Sequence, residues 1–178
     1  MTANEMLEEI FTLIEEYDEQ GTYKTDDVDL RNKIISVMNH IQNELARIKK
    51  ISAYEELDVK KGDQLELAVD LQNFYQLNVI KDVTYEEVDG LIVFRSEGKA
   101  RIYYYKYPKR ITKENLDKKL ELTQDVLEIM AYGVAADILK ADVASNYGQV
   151  YATRYKELLN GLDPRYSRGH IEIEEGVF

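Results

Sequence analysis

Two changes in the spacing of apolar residues constrain this chain more than any other feature. Met6, Leu7, Ile10, Phe11, Ile14 and Tyr17 recur at helical spacing behind a Thr2/Glu5 capping box, and Gly21 stops the run. A second helix, capped by Thr25 or Asp27, carries Leu30, Ile34, Met38, Ile41, Leu45 and Ile48 on one face. From about Ser52 the period falls to two. Within 65-LELAVDL-71 this places Leu65, Leu67, Val69 and Leu71 on one side of a strand, and 77-LNVIKDV-83 follows. Then 91-LIVF-94 and 101-RIYYYKY-107 flank 95-RSEGKA-100, whose Gly98 can supply the positive φ of a short hairpin turn. Pro108 ends the strands, and helical spacing returns near Thr123.

The order helix, helix, strands, helix, helix predicts an α+β fold, a bundle of about four helices with a small antiparallel β domain inserted. Each helical pair alone would expose an apolar stripe that the other can cover. The expected divisions are 1–50 for the first helical pair, 51–112 for the β module, 113–162 for the second pair and 163–178 for a C-terminal arm. In that arm Ile171 and Ile173 alternate with His170, Glu172 and Glu174, as in an edge strand or an arm for another molecule. A chain of 178 residues can bury roughly two-thirds of its unfolded surface, so it folds without staples. It has no Cys, which excludes disulfides, thiolate nucleophiles and Cys-ligated zinc. MTANEMLEEIF lacks a basic region before its apolar residues, and no apolar run approaches bilayer length, so the chain reads as soluble and untargeted.

A net charge of −11 disfavours overall attraction to DNA or anionic lipid. The charges are unevenly placed. Met1 to Leu30 holds ten acidic residues and one Lys, whereas Lys99 to Lys119 holds eight basic and two acidic residues. Such patches either attract each other across a head-to-tail subunit contact or form two solvated faces.

Chemistry-bearing patterns are absent from the sequence. It contains no G-x-S-x-G, G-x-x-x-x-G-K-[ST], G-x-G-x-x-G or H-E-x-x-H, so we expect no catalytic, cofactor-binding or metal-binding residue and no enzymatic activity. Glu15 with Glu16, and Glu86 with Glu87, read as solvating charge; His40 reads as a satisfied or interfacial histidine, and His170 with Glu172 lacks further ligands. In 103-YYY-105 a strand puts Tyr103 and Tyr105 on one face and Tyr104 on the other, which suits a half-buried sheet better than base stacking.

Several segments together resemble a known family. A strand block opening near 62-GDQLELAVDLQNFYQLNVI-80, then 101-RIYYYKYPKRIT-112, 120-LELTQDVLEIMAYGVAADILKAD-142 and 151-YATRYKELLNGLD-163, is similar to the head-to-tail connector (adaptor) proteins of tailed bacteriophages. The nearest variety carries a β module within a helical bundle, as in podovirus tail tubular and gatekeeper-type adaptors. Leu67, Ala68, Val69 and Asp70 occupy the first family element, with Ala where Pro is usual. Tyr105, Lys106, Tyr107 and Pro108 match the second; Tyr132, Gly133, Ala135, Ala136, Leu139, Asp142, Tyr151 and Tyr155 match the helix pair.

The resemblance implies a structural virion protein at the head-tail junction, assembled in the host cytoplasm. It would form a ring, expected to be dodecameric, beneath the portal and continue the DNA channel. The implied partners are the portal and tail proteins, other copies of the chain and passing DNA bound without sequence preference; a membrane is not among them. Gly133, Ala135, Ala136, Ala141 and Ala144 permit close helix approach, and half of this pattern is explained by an ordinary core. The expected subunit-interface residues are Tyr132, Tyr147, Tyr151, Tyr155, Ile171, Ile173 and Phe178. Two other classes remain open: a binding module for carbohydrate or protein, using Tyr75, Tyr85 and Tyr103 to Tyr105, and a carboxylate-based hydrolase.

Overall fold

A computed structural model describes residues 1–15, 28–140 and 146–162. It is an α+β fold with five helices among the described residues and two small antiparallel sheets. Helices α1 (Ala3–Leu13) and α2 (Val28–Ile48) precede the strands, and α4 (Gln124–Leu139) and α5 (Tyr147–Leu162) follow them. The Thr2/Glu5 capping box is present: Glu5 N–H donates to Thr2 Oγ1 at 3.2 Å and Thr2 N–H to Glu5 Oε2 at 2.7 Å. Gly21, Thr25 and Asp27, expected to stop the first helix and cap the second, lie outside the described residues, as do Tyr17 and the whole of 163–178.

The apolar faces close on one another. Met6, Ile10 and Phe11 of α1, Ile34, Met38 and Leu45 of α2, and Val126, Met130 and Val134 of α4 share a core against which Tyr155, Leu158 and Leu159 of α5 pack. α4 is the hub, packing on α1, α2 and α5. Residues 107–122 form a strap across the helices. Ile111 and Leu122 join the core, while backbone bonds from Ala3 N to Lys118 O and from Asn4 N to Leu116 O tie the strap to α1.

The strands make a second core. One sheet has the order β1 (Ile51–Val59), β6 (Gly98–Lys106), β3 (Phe74–Lys81); the other has β2 (Gln64–Glu66), β5 (Leu91–Phe94), β4 (Tyr85–Val88). Inward residues Ala100, Ile102 and Tyr104 of β6 meet Ile92 and Phe94 of β5 in this core.

Two expectations are corrected. The stretch 65–71 is not one strand, because β2 stops at Glu66 and Leu67–Asp70 turns once as the short helix α3. A single turn brings Leu67 and Leu71 to the same buried side and swings Val69 out to 70% exposure. The Asp70 carboxylate fixes the turn by accepting the Glu66 N–H at 2.7 Å. Nor do 91–94 and 101–107 form a hairpin: β5 pairs with β2 and β4, whereas β6 pairs with β1 and β3. Gly98 does have a positive φ of 147°, but it opens β6. The tight hairpin is β4–β5, turned by Asp89 and Gly90, both at positive φ as a two-residue turn of this type requires.

Candidate interface surfaces

The α4–α5 pair is built on close approach. A Cβ added at Gly133 would meet the Tyr155 ring at 2.7 Å, and one at Gly148 would meet the backbone of Leu139 at 3.0 Å. Gly133 and Gly148 therefore serve packing within the chain and Ala135 is buried, whereas Ala141 and Ala144 lie outside the described residues. Tyr155 is drawn into that packing as well: burial raises its pKa, with the nearby Glu44 carboxylate adding to the effect, and among the described residues its buried hydroxyl meets no partner in good hydrogen-bonding geometry.

The other three expected tyrosines cluster nearer the surface. Tyr151 lies between Tyr132 and Tyr147, at ring-centroid distances of 5.9 and 6.3 Å, and its hydroxyl donates to Leu13 O at 3.0 Å. Burial and then the Glu15 carboxylate raise the Tyr151 pKa. Tyr147 remains 51% exposed and Val150, one helical turn on, 57%, so the start of α5 offers apolar area to solvent. Ile171, Ile173 and Phe178, the remaining expected interface residues, lie outside the described residues, as does His170.

His40 borders a groove of about 580 Å³ between α2, α4 and α5, with Glu44, Asp137 and Tyr155 on its walls. Among the described residues no group of three or more His, Asp or Glu side chains is placed to hold a metal ion.

The outward face of the β1–β6–β3 sheet carries Tyr54, Tyr103 and Tyr105, and Tyr104 points inward as the alternation requires. Tyr54 and Tyr103 lie 4.9 Å apart at 40°. Their ring faces are partly occupied: Lys50 Nζ sits 4.6 Å from the Tyr105 centroid and Lys81 Nζ 5.2 Å from that of Tyr103. Ion pairs Lys99–Glu56 and Arg101–Asp82 flank them, and a hydrogen bond to Glu56 pushes the Tyr54 pKa up to about 12. This face is largely self-satisfied, which weighs against a flat stacking platform for sugars or bases. Inside, burial and then a hydrogen bond to Glu55 raise the Tyr104 pKa.

The polar joint between strands and helices did not figure among the sequence candidates. Asn39 of α2 holds Ile111 reciprocally, donating to its C=O and accepting its N–H, both at 2.8 Å. Gln42, only 1% exposed, donates to Asn39 Oδ1 at 2.9 Å and to Lys109 O at 3.2 Å. Glu121 accepts from Lys106 Nζ and from Lys109 N–H, both at 2.8 Å; burial opposes its charge, but these donors hold its pKa below the usual range. A polar pair at i and i+3 beside an apolar helical stripe is the sequence signal that could have marked this anchor.

No protein-family model and no curated protein matches the chain. Among the described residues no helix is long and apolar enough to cross a membrane.

Proposed function

We propose that the chain is a head-to-tail connector of a tailed bacteriophage, a non-enzymatic virion protein that assembles as a ring beneath the portal and continues the DNA channel. The observation carrying this reading is the single helical core, to which helices from before and after the strands contribute. We read the strands as a β module inserted in that helical body, the arrangement the resemblance implies. The exposed apolar start of α5 and the apolar alternation of Ile171 and Ile173 beyond it supply surface for the portal or a ring neighbour.

The test is co-expression with a portal protein encoded near this chain, followed by affinity purification and electron microscopy. A ring of added density on one end of the portal is expected. Deletion of the residues after Arg168 should abolish that complex while leaving the thermal midpoint of the isolated chain unchanged. Failure of the full chain to bind the portal would overturn the reading. Unfolding of the truncated chain would instead make the arm part of the fold.

A further inference from the structure

The strap carries a groove of about 360 Å³ whose walls hold four cations, Lys109, Arg110, Lys118 and Lys119, and one acid, Glu121. That acid is already engaged, since its two oxygens accept from Lys106 Nζ and from Lys109 N–H. Lys118 pairs with Asp117 at 3.0 Å, and Lys119 lies close enough to Glu5 for their charges to attract, but all four side chains are exposed and such contacts are weak. Arg110 is in no ion pair among the described residues. Ile111 and Leu120 add apolar wall to the same groove. A cationic rim beside apolar residues suits an extended segment in which Glu alternates with an aliphatic side chain.

This chain contains such a segment in 170-HIEIEEGVF-178, which holds Glu172, Glu174 and Glu175 and no Lys or Arg. It lies outside the described residues, but the helix that leads to it does not. Gly133 faces Tyr155 and Leu139 faces Gly148, so α4 and α5 run antiparallel and Leu162 ends level with the first turn of α4. The strap enters α4 at the same place, through Leu122 and Thr123. Lys118, five residues before Thr123, is therefore within about 18 Å of it, and packed helix axes add about 10 Å. The ten residues from Leu162 to Glu172 extend to about 35 Å, which is enough. We infer that residues 170–178 dock in the strap groove of their own copy, with Ile171 and Ile173 toward its apolar wall and the three glutamates toward Arg110, Lys118 and Lys119. A nucleic acid is the poorer occupant, because the net charge of −11 repels a long polyanion, whereas the tethered tail is held at high local concentration. Docked, the tail covers its own isoleucines until a partner outcompetes the strap. The inference goes beyond the connector reading and does not rest on it; where both hold, the portal competes for the tail.

The chain has no Cys, so Gly176→Cys takes a single spin label, and amide line broadening in the isotope-labelled full-length chain reads where the tail lies. At about 0.05 M salt the amides of 109–121 should broaden most, and at about 0.5 M the effect should fall about threefold or more, because exposed charges are then screened. A mixture of spin-labelled chain without isotope and isotope-labelled chain without spin label should show no broadening, since the contact lies within one copy. Arg110→Glu/Lys118→Glu and Glu172→Lys/Glu174→Lys/Glu175→Lys should each abolish the broadening, and the two sets combined in one chain should restore it. Far-UV circular dichroism checks that every variant is folded. Broadening centred on another surface, broadening that survives either charge reversal, or broadening in the mixed sample would overturn the inference. So would an oligonucleotide that binds the strap of the wild-type chain while the tail leaves 109–121 unbroadened. Portal binding is scored separately: a docked tail with no portal binding sinks the connector reading alone, and portal binding with an undocked tail sinks this inference alone.

Discussion

Replacing Asn39 by Ala should be the most damaging single polar deletion in the joint between strands and helices. The Asn39 side chain satisfies both backbone groups of Ile111 at 2.8 Å, donates to Ile35 O at 2.9 Å and accepts from Gln42. Ile111 is only 4% exposed. Asn39→Ala leaves its N–H and C=O without partners, at about 1 to 3 kcal/mol for each buried unsatisfied group. Ala is the better helix former, which returns about 0.7 kcal/mol at most. The net expectation is a loss of about 1 to 5 kcal/mol, toward the lower end if water enters through the adjoining groove lined by Ser36 and Arg110. Asn39→Asp separates the two halves of the interaction. It keeps the acceptor for Ile111 N–H and Gln42, but turns a carboxylate oxygen toward the carbonyls of Ile35 and Ile111. Its cost should therefore shrink as acid protonates the new group. Urea unfolding followed by far-UV circular dichroism measures both variants. A change of under about 0.5 kcal/mol for Asn39→Ala, the range of ordinary surface substitutions, would refute the idea that this amide anchors the strap.

Three further outcomes follow from the geometry. Gly133→Ala drives a methyl into the Tyr155 ring and should cost about 1 to 3 kcal/mol, less the gain of about 1 kcal/mol from helix propensity; in a Tyr155→Ala background only the gain should remain, as a thermal-melt double-mutant cycle would reveal. Glu9 has a pKa raised by burial and by Glu128, so its charge opposes folding above that pKa: Glu9→Gln should stabilise the chain at neutral pH, with the advantage vanishing as pH falls below the unfolded-state value. Glu121 has the opposite sign, a lowered pKa whose stabilisation is present above the unfolded-state value and lost as pH falls through the folded one. Glu121→Gln should therefore be destabilising at neutral pH and indistinguishable from the parent in acid, in unfolding titrations across pH.

The helical parts were legible because their signal is local. In α1 and α2 the apolar stripe repeats over several turns, and the faces so marked are those that are buried. The strand region was legible only in outline. Over seven residues, LELAVDL satisfies a period of two and equally a single turn joining Leu67 to Leu71; the side-chain bond from Asp70 to the Glu66 N–H decides between them. The expected turn at Gly98 passed over Asp89-Gly90, the stronger two-residue hairpin signal and the pair that turns β4 into β5. Which strands then pair is not written in either turn. It follows from Ile92, Phe94, Ile102 and Tyr104 closing one core from two sheets, a set of contacts distant in sequence.

The same limit governs the surfaces. Gly133 and the tyrosines of α4 and α5 announce that something approaches closely, yet spacing cannot say whether the approaching ring belongs to the same chain. Tyr155 takes the place at Gly133, which leaves Tyr147 and Val150 as the exposed part of that pattern. Charge behaves differently, because its segregation survives folding. Residues 99–119 are basic in sequence, and the strap keeps Arg110, Lys113 and Lys119 at the surface since its apolar Ile111, Leu116 and Leu120 face the core. α1 and α4 are acidic for the complementary reason that their apolar faces are turned inward toward each other. A bundle that buries its apolar stripes this way still neutralises part of its own charge, since Lys106 pairs with Glu121 and Lys119 sits close enough to Glu5 for their charges to attract, and salt screens what stays exposed.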